Sequence, residues 1–176
     1  MKEKEKLDKL YKKLPIEYLE IVAEILDNEE FQRRKEYHHH ENRSVYCHSL
    51  TVSYYSYLIA KKIRLDYSSA AIAGLLHDFY YDDWQLTKTK GFKNMHGFVH
   101  AKQALENSEK HFPDLLNDKI SDSIKKHMFP LTIMPPKYFE GWIVTMVDKV
   151  ISLEVFKSPK KLYKYIGLGL IFKRLN

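Results

Sequence analysis

Cysteine is almost missing from this chain: Cys47 is the only one among 176 residues. One thiol cannot build an internal disulfide framework, and such usage suits a reducing, cytoplasmic compartment. No apolar run approaches the roughly 20 residues of a transmembrane helix. Met1 to Lys6 alternate lysine with glutamate and lack an apolar stretch, so neither a signal peptide nor a membrane partner is expected. Six glycines and six prolines exclude collagen-like or linker-dominated chains. A protease-type His-Glu-x-x-His motif is absent as well. His96 and His100 have the spacing, but Gly97 stands where the glutamate would be.

Aromatic and apolar residues are plentiful. Hydrophobic residues make up 44% and aromatic ones 14%, a composition too rich for disorder. A chain of this length forms one domain and buries roughly 70% of its unfolded surface. The net charge of +6 is compatible with a nucleic-acid partner, a phosphorylated small substrate, or a solubilising surface. The positive residues are scattered from Lys2 to the C-terminal tail, without interleaved aromatics, which argues against specific nucleic-acid binding.

Helical periodicity dominates. Pro15 suits the first turn of a helix carrying Ile16, Leu19, Val22, Ile25 and Leu26. A second helix is predicted over Ser44 to Ile63. A third, Ala70 to Leu76, is predicted with Ser68 and Ser69 as caps. An irregular stretch, Tyr80 to Gly97, is followed by helices over Phe98 to His111 and Pro113 to His127. Pro130, Pro135 and Pro136 predict an extended connection. Tyr138 to Phe156 is apolar almost all round, which predicts a central helix. The fold class is all-α.

Nine histidines are many, but their positions matter more than their number. His77 and Asp78 close an apolar, small-residue helix, Ala-Gly-Leu-Leu-His-Asp, and so deliver an imidazole and a carboxylate together. That pair suits Fe, Mn, Ni, Co or Zn. His48 stands early in the preceding helix, and His100, His127 and Asp148 fall on three later ones. Side chains on separate helices can converge in the core of a bundle. The run His38-His39-His40 reads as a solvated turn. Cys47 reads as a small packed residue, and the tyrosines of the second helix as core.

The order His48 (in Tyr-Cys-His-Ser-Leu), His77-Asp78 (in Leu-Leu-His-Asp), His100 (in His-Ala-Lys-Gln-Ala-Leu), His127 and Asp148 (in Val-Asp-Lys) resembles the HD-domain phosphohydrolase superfamily. The resemblance covers Tyr37 to Phe156. It implies a helical bundle over 37–157, with an N-terminal helical segment, 1–36, packed on it and a tail, 158–176. It also implies one divalent ion on His48, His77, Asp78 and Asp148, and a second on His100 and His127, bridged by Asp78. The activity implied is hydrolysis of a phosphate ester or anhydride, of a nucleotide or another small phosphorylated metabolite. In it Asp78 and His96 are the catalytic candidates, Asp78 orienting a water, and His96 with Arg43, Lys126 and Lys149 are candidates to hold phosphate. The lysine of the frequent family continuation His-Asp-Ile-Gly-Lys is absent here, where Phe79-Tyr80-Tyr81 follows. Asp82 and Asp83 are expected to be solvated loop carboxylates. Two other readings share the resemblance: a diiron oxygenase on the same fold, and a nucleotide-binding module without turnover.

Overall fold

The computed structural model describes residues 7, 11–39, 43–80 and 96–152, with backbone alone at positions 38, 39, 43 and 96–98. The architecture is all-α. Its helices are α1 (Ile16–Asp27), the single turn α2 (Glu29–Gln32), α3 (Val45–Lys62), α4 (Tyr67–Leu76), α5 (His96–His111), α6 (Asp118–Lys126) and α7 (Phe139–Ser152). A two-residue antiparallel pair, β1 (His38–His39) with β2 (Arg43–Ser44), precedes α3. Thus His38 and His39 are extended and paired, where a solvated turn was expected. No helix among the described residues is long and apolar enough to cross a membrane.

The centre of the bundle is α3 against α4. Every residue from Val45 to Leu50 and from Ser69 to Leu76 is buried. The two backbones meet at Gly74, where a Cβ would lie 2.8 Å from the Ser53 Cα. A larger residue there would push the helices apart. Ser53 Oγ donates to the Ala71 carbonyl (2.7 Å) and accepts from the Tyr18 hydroxyl (2.8 Å), tying α1 to both. The apolar face of α1 (Tyr18, Val22, Ile25, Leu26) and Phe31 belong to the same core as α3 and α4. The tyrosines of α3 are mostly structural: Tyr18 meets Tyr54 and Tyr57 edge-on at 5.2 and 5.3 Å.

The helix predicted to be central, now α7, is not. It buries one stripe, with Val144, Val147 and Asp148, and exposes Phe139, Trp142 and Met146 on the other. An all-round apolar composition does not say whether the second face meets the core or something else. Two caps also differ from expectation. Asp66 caps α4 by accepting from the Ser69 N–H (3.0 Å), while the Ser69 hydroxyl donates to its other oxygen. The helix predicted from Pro113 is a 3₁₀ turn (Pro113–Leu115) followed by α6, which Asn117 caps through the Ile120 N–H (2.9 Å). The connection predicted as extended is a series of turns, with the Leu131 N–H donating to the Met128 carbonyl at 2.8 Å. Proline stops a helix but serves turns equally well. Residues 153–156, predicted to continue the last helix, lie outside the described residues.

One polar network sets the direction of three helices. Lys119, in the first turn of α6, reaches Asp66 Oδ2 (3.3 Å) at the start of α4 and Glu140 Oε1 (3.0 Å) at the start of α7. Glu140 also accepts from the Asp66 N–H (3.1 Å), and Asn117 donates to the Ser69 hydroxyl (3.0 Å). With their N-termini joined, α4, α6 and α7 run side by side. At 1.5 Å per residue, their candidate ligands His77, His127 and Asp148 arrive together about 12–16 Å away.

Candidate metal centre

His77 and His127 occupy the same place on their helices, each as the C-terminal cap. Each folds its ring back over the last turn, so that Nδ1–H donates to the carbonyl three residues earlier. The acceptors are Gly74 (2.9 Å) for His77 and Ile124 (2.8 Å) for His127. A carbonyl only accepts, so Nδ1 carries a proton in both rings, and Nε2 is left for a metal or a second proton. Both Nε2 atoms point to the interior, where α3 brings His48, α5 brings His100 and α7 brings Asp148.

Asp78 lies at the middle of this set and divides it. Its Oδ2 faces His77 Nε2 (3.3 Å) and His48 Nε2 (3.6 Å), and its Oδ1 faces His100 Nε2 (3.5 Å) and His127 Nε2 (3.7 Å). Asp148 Oδ1 completes the first side, 3.1 Å from His48 Nε2 and 3.6 Å from His77 Nε2. On the second side the His100 and His127 Nε2 atoms are 3.0 Å apart, and His100 donates to the lone pair of His127. Two buried groups that could hold a metal ion result: His48, His77 and Asp78, and Asp78, His100 and His127.

The electrostatics favour cations. Burial raises the carboxyls of Asp78 and Asp148, but the surrounding imidazoles outweigh it and hold both well below the usual carboxylate range. Burial likewise opposes charge on His77, yet Asp78 and then Asp148 beside it raise its pKa to about 10. His127, buried and facing His77, is lowered to about 3 and is neutral. His77 Nε2 is buried without a hydrogen-bond partner despite its two carboxylate neighbours. An orphaned imidazole nitrogen between two carboxylates has the character of a ligand atom, and the N/O donor set fits a borderline divalent metal.

Other candidates fall unevenly around this cluster. Lys149 Nζ donates to the His127 carbonyl (3.2 Å) and lies 3.8 Å from Asp148 Oδ2, so it borders both sides. Lys126 is turned away to an ion pair with Asp122, whose other oxygen accepts from the Lys137 N–H (2.7 Å). Arg43 is paired with His39 through the β1–β2 backbone, and His96 opens α5; the side chains of both lie outside the described residues. Asp82 and Asp83 also lie outside them. Cys47 is buried, as expected of a packed residue. Sequence reasoning missed Tyr80, whose ring lies 5.3 Å from that of His100, and the carbonyls of Gly74 and Ile124. The signal for those carbonyls was a histidine placed just past a helix end, three residues beyond the acceptor.

A helical bundle with two imidazole–carboxylate groups sharing one aspartate defines a class, that of metal-centre helical domains. The family model of the HD domain matches residues 45–155, a span that contains all six residues of the cluster, and the chain belongs to this family. A crystal structure of a predicted HD superfamily hydrolase from an uncultured Thermotogales bacterium is similar to it. That protein is 19% identical, with 96% of this chain and 95% of that chain covered and a TM-score of 0.47. No curated protein matches the chain.

Proposed function

We propose that the protein is a metal-dependent phosphohydrolase that cleaves a phosphate ester or anhydride of a small substrate such as a nucleotide. The observation that carries this reading is the Asp78 carboxylate, with one oxygen turned to His48 and His77 and the other to His100 and His127. His48, His77, Asp78 and Asp148 would hold one divalent ion, and Asp78, His100 and His127 a second. Such a pair supplies a water of lowered pKa and neutralises the charge of a phosphoryl group. The chain's own contribution is preorganisation. Gly74 and Ile124 lock two ring tautomers, the α4–α6–α7 network aligns three helices, and burial excludes bulk water. Lys149 places a positive charge beside the centre, where an anionic substrate must come.

The test is turnover of phosphate monoesters, nucleotides and dinucleoside polyphosphates by protein reconstituted with Mn²⁺, Co²⁺ or Ni²⁺ under anaerobic conditions. Release of inorganic phosphate or a nucleoside phosphate is expected. Strict dependence on iron and oxygen, with no phosphate released, would establish the oxygenase reading instead.

A further inference from the structure

An apolar groove of about 300 Å³ lies on the face of the bundle between the end of α3 and the outer side of α7. Ile59, Ile63 and Leu65 form one wall, and Phe139, Trp142 and Met146 the other. Its walls are open to solvent: Phe139 is 73% exposed, Met146 54% and Ile63 53%. Contiguous apolar surface of this kind marks an interaction site. The sequence that follows Ser152 holds an apolar run, Ile166-Gly-Leu-Gly-Leu-Ile-Phe172, seven residues without a charge.

We propose that this segment of the same chain covers the groove, with residues 153–165 as its tether. The argument is one of reach and concentration. The tether starts at the end of α7, the helix that forms one wall. From Ser152 back to Met146 and Phe139 the helix rises about 9 and 20 Å. Thirteen residues of coil have a root-mean-square span of about 20 Å, enough to return from Ser152 to Met146 and Phe139. The tether carries Lys157, Lys160, Lys161 and Lys164, residues suited to water, while the run beyond it carries none. A matched tether holds its segment at an effective concentration of about 1 mM. A second copy of the chain at micromolar concentration competes for the same surface at a disadvantage of about a thousandfold.

Paired cysteines in the full-length chain test this. In a Cys47→Ala background, Met146→Cys with Leu170→Cys should form an intramolecular disulfide in the monomer, about tenfold faster than a control pair. The control is Glu106→Cys with Leu170→Cys, since Glu106 is exposed on α5, which does not line the groove. Equal rates for the two pairs overturn the proposal, and so do disulfide-linked dimers in place of the monomeric product, which would assign the groove to a second copy. Independently, Leu170→Asp alone, with Cys47 native, should raise the binding of a hydrophobic dye severalfold at unchanged helix content. Unchanged dye binding overturns the proposal.

Discussion

Asp78 serves both halves of the cluster at once, whereas each histidine serves one. Asp78→Asn should therefore remove both ions while leaving helix content intact, because the side chain keeps its shape. His100→Ala and His127→Ala should each lower the metal content from about two ions towards one per chain, read by elemental analysis of protein purified in metal-supplemented medium. Two ions retained in either variant would disprove a dinuclear centre built on these residues. Gly74 makes a different demand, on space. With a Cβ only 2.8 Å from a backbone atom of α3, Gly74→Ala should destabilise the protein by about 1–3 kcal/mol. Urea unfolding measures it, and a wild-type midpoint would show that α3 and α4 can separate without cost.

Helix ends carry the next set of consequences. At the end of α3 the Leu65 N–H donates to the Ala60 carbonyl (2.9 Å) and the Arg64 N–H to the Lys61 carbonyl (3.3 Å), the two bonds of a Schellman motif. Its left-handed position is filled by Arg64, at φ 61°, where glycine is the usual residue. Arg64→Gly relieves about 1 kcal/mol of backbone strain, partly offset by glycine's greater freedom in the unfolded chain. A modest rise in the urea midpoint is expected. Between α1 and α3, Lys61 and then Tyr57 lower the Glu17 carboxyl to about 2 from its ordinary 4.5. A carboxyl lowered on folding stabilises the protein above its unfolded pKa and loses that effect as pH falls through the folded value. Wild type should thus exceed Glu17→Gln in stability at pH 6, and the difference should fade between about pH 4.5 and pH 2. Because the pair is exposed, 0.5 M salt should shrink it too. An unchanged difference at pH 2 would refute the assignment.

At the scale of the whole molecule, the bundle and the convergence of its histidines were legible because both rest on long-range regularities. Apolar spacing marks each long helix, and six ligand-type residues stand on five of them in a fixed order. What escaped was settled between elements. Asp66 is the cap of α4 in preference to Ser68 or Ser69 because it also meets Lys119, 53 positions away. The half-exposure of α7 and the Asp122 partner of Lys126 likewise depend on neighbours that no local pattern names. The tautomers of His77 and His127 were within reach, since each acceptor is three residues upstream.

The parallel course of α4 and α6 has a further result. Both helices end at the cluster, and a helix C-terminus carries about half a unit of negative charge. Two such ends add to the carboxylates of Asp78 and Asp148, and Lys149 with the His77 imidazolium offsets only part of the sum. The cluster is thus a sink for cations and, while empty of them, a barrier to anions. Order of arrival is therefore built into the fold: inorganic phosphate should bind the metal-loaded protein and show no measurable affinity, by calorimetry, for protein stripped with a chelator.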